Sequence, residues 1–540
     1  MAIEFYYRTE DIRPEQILSY FVESQLDREI VNLFKSPSTI ILEGSRGTGK
    51  SFLMTVAKIE LENSFIVSRI LPVYVAFRGS ALLHTSDPLQ FRHWMVAKII
   101  RELLKELRKK GLIVSQYASS LLSDHTNQDP NSLEISLQEI INAYEESYKN
   151  PKQLVNITTI PDISDVTDAF EEICTTLNLE RISIFFDEAA HVFRPEQQRQ
   201  FFTLFRDLRS PYISCKASIY PGVTHYGSFF EPTHDATFRR IERDILELSY
   251  LGTMWDIYQK QADKATNLNF ENHKSLFNTL ALSCSGNPRI LFKTLSRCNK
   301  VNINEVEAVI KNYYRADIWS EHTKLGDKYS GHKALIDWGR NFIEESVLPI
   351  VHSKNQWQIK EGKEEPSIYF WIHKDVPEMV KEALRLLCYT GIIRKIDDGV
   401  KNSHSKIGTR YEIKYGCILA LDPSPQKYSE AIGGKLDTRR ISEFGATHAA
   451  YQSLSQTALL EIQDEEIAKT VKAQLLQSID VLDLTDWQKK KLKDFGVTTI
   501  ESLLSVNEED LIKNISQVST VRARTMKNAA TAELLEYLSG

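Results

Sequence analysis

The chain has 540 residues, 42% of them hydrophobic and 26% charged, with a formal net charge of −6. That length exceeds what one hydrophobic core accommodates and predicts three or four domains. No apolar run approaches the ~18 residues that span a bilayer, and a net acidic balance excludes a surface that coats nucleic acid as a whole. Six scattered cysteines without a CxxC pair support neither a zinc site nor a disulfide framework. A reducing, cytoplasmic location is expected. The opening Met1-Ala2-Ile3-Glu4-Phe5-Tyr6-Tyr7 lacks a basic region followed by an apolar stretch, so no signal peptide is expected.

Thr9 to Ser36 reads as loop then helix, with Ile17, Phe21, Leu26, Ile30 and Leu33 near helical spacing and Ser36-Pro37-Ser38 as the stop. The short apolar run from Thr39 to Leu42 predicts a buried strand. Gly44-Ser45-Arg46-Gly47-Thr48-Gly49-Lys50-Ser51 follows, and then a helix-like segment from Phe52 to Leu61. Strand, glycine-rich loop and helix with GxxxxGK[ST] spacing form the context of a P-loop. Glycines let the backbone turn its N–H groups onto a phosphate chain. Lys50 is the expected partner of the β- and γ-phosphates, and Ser51 the expected hydroxyl ligand of Mg²⁺. ATP and Mg²⁺ are therefore the expected ligands.

A second buried strand is expected at Leu71–Phe77, before Arg78-Gly79. A long amphipathic helix runs from Pro88 to Lys110, with Phe91, Met95, Ile99, Leu103 and Leu107 on one face and Gly111 at its end. Residues 112–165 are polar and read as a helical insertion. The run Arg181-Ile182-Ser183-Ile184-Phe185-Phe186-Asp187-Glu188 delivers two acids at the end of an apolar strand, the Walker B arrangement. Asp187 is the expected metal-holding carboxylate, and Glu188 the residue that orients or deprotonates the attacking water. Both belong at the carboxyl edge of a parallel sheet.

A helix from Glu196 to Arg209 and a buried strand from Tyr212 to Tyr220 come next, closed by Pro221-Gly222. Ser218 on that strand is a candidate γ-phosphate contact. Asp235 to Ile245 reads as a helix carrying Arg239, Arg240 and Arg243, and Leu246, Leu248 and Tyr250 as the last strand. His191, His225, His234 and Asp235 match no closed zinc pattern, and no metal site is expected there. Leu251 to Asn312 reads as helical throughout. Within it, Ser285-Gly286-Asn287-Pro288-Arg289 places a capping Asn and an N1 Pro before a helix, with Arg289 in its first turn.

These pieces together resemble the AAA+ superfamily, in the branch of origin-recognition-type replication initiators. STAND-type switch ATPases share the Gly286-Asn287-Pro288-Arg289 motif. Arg8-Thr9-Glu10-Asp11-Ile12 and Tyr220-Pro221-Gly222-Val223-Thr224 look like bacterial relatives of that branch, with unassigned roles. The resemblance implies that Gly44–Ser51 is Walker A, Asp187-Glu188 Walker B and Arg289 a sensor of the γ-phosphate. It implies that Arg239, Arg240 or Arg243 acts as an arginine finger on a neighbouring subunit of an oligomer. No clear Asn stands at the sensor 1 position.

From Pro366 onward a small module can be read. An amphipathic helix from Val376 to Thr390 precedes a strand begun by Ile392–Ile396, a turn at Asp397-Asp398-Gly399 and a return at Tyr411–Lys414. Helix then hairpin looks like a winged helix, with Lys401, His404, Lys406 and Arg410 on the wing facing phosphates or serving a protein contact. Leu482 to Leu538 resembles paired helix-hairpin-helix units, one turning at Leu492–Ile500 and one at Ile515–Arg524. In the second, Gln517 and Ser519 stand where glycine is expected, with Arg522, Arg524 and Lys527 nearby. This segment carries no basic excess, and DNA binding and protein docking stay open for it.

The expected architecture is α/β: a P-loop AAA+ domain with a parallel sheet over 1–250, a helical lid over 251–320, a winged-helix-like domain over 321–422, a connector over 423–475 and an all-α helix-hairpin-helix-like domain over 476–540. The expected activity is slow Mg²⁺-dependent ATP hydrolysis that couples nucleotide state to assembly on DNA, of initiator, loader or repair type. The alternative is a STAND-like nucleotide-gated signalling switch, for instance in bacterial antiviral defence, whose carboxyl-terminal modules contact protein. A third reading keeps the nucleotide as a structural ligand.

Overall fold

The computed structural model describes residues 5–78, 88–112, 130–146, 160–190, 192–223, 225–227, 230–262, 269–363, 366–432, 434–438, 440–454, 462 and 464–539. Gly79, His191, Thr224 and most of the segment 112–165 lie outside the described residues. The chain divides into two compact units. One comprises Tyr6–Glu242 with Asp256–Gln261, the other Met1–Phe5, Arg243–Trp255 and Ala262–Gly540.

The first unit is built on a sheet of five parallel strands: β1 (Ile40–Glu43), β2 (Ile70–Ala76), β3 (Arg181–Asp187), β4 (Ile213–Ile219) and β5 (Thr237–Arg240), in the order β2-β3-β4-β1-β5. Their continuous apolar sequences follow from burial on both faces. On one face Ile30, Val31 and Phe34 of the helix Gln25–Lys35 and Leu53, Met54, Val56 and Ala57 of the helix Lys50–Asn63 form one core with Ile40 and Leu42. An aromatic cluster packs the other face. Phe77 lies 5.3 Å from Trp94 and 5.7 Å from Phe186, and Phe186 meets Phe201 and Phe205 of the helix Pro195–Asp207. The helix Pro88–Lys109 buries Phe91, Met95, Ile99, Leu103 and Leu107, the face read from its four-residue spacing. It ends at Gly111, whose φ of +68° only glycine adopts without strain.

Two expected elements differ. Thr237–Arg240, expected within a helix, is β5, because the outer edge of β1 requires a partner. Thr237 N–H donates to Thr39 O at 2.9 Å and Ile241 N–H to Glu43 O at 2.9 Å. Leu246 and Leu248, expected as a strand with Tyr250, lie in turns with both leucines exposed, and Tyr250 begins the helix Tyr250–Gln259. Alternation without a second buried face leaves no strand.

The second unit holds the helices Lys274–Ser283, Pro288–Leu295 and Ile303–Asn312, a helical array from Ile318 to Lys360, and a sheet in the order β7-β8-β6-β9. β6 (Tyr369–His373) and β7 (Ile393–Lys401) both pair antiparallel with β8 (Ile407–Ile413), and the helix Glu378–Thr390 lies between β6 and β7 in the chain. β9 (Ser442–Phe444), inside the segment read as a connector, closes the free edge of β6 as a parallel strand. The helices Asp486–Asp494, Ile500–Ser505, Glu508–Asn514 and Thr520–Leu535 end the chain. Thr485 and Thr499 form capping boxes on the first two. Among the described residues no helix is long and apolar enough to cross a membrane.

Basic side chains of this terminal segment are used internally. Arg524 pairs with Glu508 and donates to the carbonyls of Asp375 and Ala446. Lys527 donates to the carbonyls of Leu503, Leu504 and Val506, capping the end of the helix Ile500–Ser505. Arg522 donates to Gln517 O at 2.6 Å and lies over Trp487. Gln517 adopts φ +67°, the conformation for which a glycine was expected.

Burial holds two histidines of this unit well below their ordinary range. Desolvation lowers His322 and His332 each to about 4, from 6.5. As pH falls below 6.5 the unfolded chain takes up these protons first, so stability is lost in the window from 6.5 toward 4. Denaturant titration is expected to show a loss on the order of 1–2 kcal/mol per histidine between pH 6.5 and 5. A His322→Gln variant is expected to remove about half of that slope, His332 keeping the rest, and an unchanged slope contradicts the assignment.

Candidate functional site

The parallel register decides which side chains meet. β1 ends at Glu43, and the chain then turns through Gly44–Gly49 into the helix Lys50–Asn63. Gly44 is required by close approach: a Cβ there would stand 2.5 Å from Ile241 Cγ2 and 2.8 Å from Thr48 Oγ1. Gly47 and Gly49 adopt φ +85° and +105°, a region that L side chains avoid. Gly49 is also the N-cap of the helix, which has no side-chain cap bond there. Lys50 and Ser51 open that helix, where backbone N–H groups and the helix dipole both favour an anion. Thr48 Oγ1 donates to Ser45 O at 3.0 Å, folding the loop on itself.

Lys50 is 7% exposed, and its ammonium donates to Gly44 O at 2.5 Å and Ser45 O at 3.1 Å. It also sits 4.2 Å from the centre of the Tyr220 ring, which Arg46 approaches at 5.9 Å. Tyr220 follows the last residue of β4 directly.

Asp187, the last residue of β3, is 2% exposed. A buried carboxylate must be hydrogen-bonded, and three donors meet it. Tyr74 OH donates to Oδ2 at 2.7 Å, Ser218 Oγ donates to Oδ1 at 2.5 Å, and Glu188 N–H donates to Oδ1 at 3.1 Å. Burial and the Asp187 charge hold the Tyr74 hydroxyl well above its ordinary range. β2 supplies Tyr74 and β4 supplies Ser218, the strands flanking β3. Glu188 adopts φ +54°, unusual for a side chain of its kind and typical of strained functional positions. Tyr220 OH stands 3.4 Å from Glu188 Oε1.

The residues read from sequence thus separate into groups. Gly44–Ser51, Asp187, Glu188 and Ser218 belong to one unit, at the carboxyl ends of adjacent strands β1, β4 and β3. Ser218, expected to face phosphate, is engaged with Asp187. Arg239 and Arg240 lie exposed on the edge strand β5, and Arg240 pairs with Glu43 at 3.0 Å. Arg243 is buried and belongs to the other unit, where Gly286 packs against its backbone: a Cβ on Gly286 would stand 2.3 Å from Arg243 O. Arg289 belongs to that unit as well. Asn287 caps its helix by accepting from Ile290 N–H at 3.2 Å, and Tyr250 OH accepts from Gly286 N–H at 2.8 Å. Tyr74 and Tyr220 are the site residues to which sequence reading assigned no role.

The site has the donor set of a magnesium–triphosphate centre. A tight loop into which no Cβ fits at Gly44 leads from β1 into a helix N-terminus that begins with Lys50 and Ser51. A carboxylate oriented by three donors ends β3, with β4 between the two strands.

No family model matches the chain, and no curated protein matches it. Among solved structures, a match is the Aeropyrum pernix ORC1 protein in complex with DNA, 14% identical, with 77% of this chain and 95% of that chain covered and a TM-score of 0.31. A likeness of that extent fixes neither fold nor activity.

Gly44→Ala is expected to destabilise the protein by about 1–3 kcal/mol through overpacking against Ile241 and Thr48. Gly445→Ala, where an added Cβ meets nothing within 4 Å, serves as control. Equal denaturation midpoints for the two variants contradict the close approach at Gly44.

Proposed function

We propose that this chain is a Mg²⁺-dependent ATPase of AAA+ type whose nucleotide state governs assembly on DNA. The observation that carries the proposal is the buried Asp187 carboxylate, oriented by Tyr74, Ser218 and the Glu188 amide in the unit that carries the Gly44–Ser51 loop. Backbone N–H groups of Ser45–Gly49 bind the phosphate chain, and Lys50 offsets the charge of the β- and γ-phosphates. Ser51 and Asp187 hold Mg²⁺, which when bound neutralises developing charge on the transferred phosphoryl group. Glu188 orients the attacking water and accepts its proton. Of the three arginines proposed for a trans finger, Arg239 is exposed and Arg243 is buried, so Arg239 is the first choice. Arg289 is proposed as γ-phosphate sensor on the strength of its Gly-Asn-Pro-Arg motif.

For DNA, the exposed Lys401, His404 and Lys406 of the β7–β8 hairpin are the proposed phosphate contacts, in a winged-helix-like module. Arg410 pairs with Asp397 and is less suited to the role. In the helix-hairpin-helix-like segment, the internal engagement of Arg522, Arg524 and Lys527 favours protein contact over DNA. That observation supports the second reading, a STAND-like switch in which the terminal helices recruit a protein.

Glu188→Gln is expected to retain ATP binding and to lose about 10²-fold or more in turnover. Lys50→Ala is expected to lose both. Wild-type protein without ATP turnover contradicts the enzyme. On DNA, Lys401→Ala with Lys406→Ala is expected to lower affinity and to reduce the salt slope by about 1 to 2. DNA affinity unchanged by these substitutions and by ATP removes the wing from the account and leaves the switch.

A further inference from the structure

Pro221 and Gly222, the latter at φ +94°, turn the chain immediately after Tyr220, which follows the carboxyl end of β4. There Tyr220 faces two groups that the proposed reaction needs in register. Its ring face lies 4.2 Å from Lys50 Nζ, and its hydroxyl stands 3.4 Å from Glu188 Oε1. Arg46 lies 5.9 Å from the same ring. Glu188 is held at its other end as well, with its amide on Asp187 Oδ1 and its backbone at φ +54°.

We propose that Tyr220 is a positioning residue: its ring sets the P-loop lysine, its hydroxyl sets the carboxylate of Glu188, and one rigid side chain keeps the two in register. This inference rests on the ATPase reading and assigns a role to the tyrosine that opens the Tyr-Pro-Gly-Val-Thr run. An aromatic ring attracts an ammonium through its π-face, most strongly where water is excluded. A phenol donates to a carboxylate while leaving its second oxygen accessible. Phenylalanine keeps the first contact and loses the second, whereas leucine loses both.

Steady-state ATP hydrolysis and thermal melting of wild-type, Tyr220→Phe, Tyr220→Leu and Lys50→Ala proteins test this. Tyr220→Phe is expected to lower kcat about three- to tenfold, the worth of one hydrogen bond, with KM for ATP and Tm unchanged. Tyr220→Leu is expected to raise KM several-fold in addition. Wild-type kcat in Tyr220→Phe, or a kcat loss that comes with a matching fall in Tm, overturns the inference. Turnover in the wild type that Lys50→Ala abolishes and Tyr220→Phe leaves intact overturns this inference alone. No turnover in the wild type overturns the ATPase reading together with it.

Discussion

A carboxylate that is 2% exposed has to be met by donors, and that requirement organises the first unit. Asp187 is the last residue of β3, so its donors must come from the strands beside it and from its own successor. β2 supplies Tyr74, β4 supplies Ser218, and Glu188 turns its amide back at positive φ. Parallel pairing alone brings these ends to one edge of the sheet. β4 pairs with β1 on its other side, which places the glycine-rich loop one strand away from the acids. The sheet therefore determines the chemistry available at its edge: an anion-attracting helix start, a lysine, a hydroxyl and two acids.

Much of this was legible in the residues. The P-loop spacing is local, since each glycine answers a constraint set by near neighbours, and the apolar runs of β1, β3 and β4 announce burial on both faces. β5 was not legible, because four residues carry no period and its strand character comes from the open edge of β1. Tyr74 and Tyr220 were missed as site residues for a related reason. A tyrosine in an apolar strand reads as core until the register shows which carboxylate lies beside it. β9 likewise exists because β6 has a free edge, and nothing within Ser442–Phe444 announces it.

The carboxyl-terminal segment gives the opposite lesson. Its charges were visible, but their destinations were not. Lys527 closes a helix end and Arg524 joins Glu508 to backbone carbonyls some 78 and 149 residues away. A sequence count of basic residues treats such groups as available to phosphate, whereas a buried ammonium or guanidinium is held by the carbonyls it satisfies. Exposed cations on the β7–β8 hairpin remain the better match to a polyanion.

Calorimetric titration of ATP into the intact protein, with Mg²⁺ and then with a chelator, tests the central claim most directly. The account predicts one triphosphate per chain, bound more tightly with the metal than without it, and a metal dependence that Asp187→Asn removes. Absence of binding, or binding indifferent to both magnesium and Asp187, would contradict it.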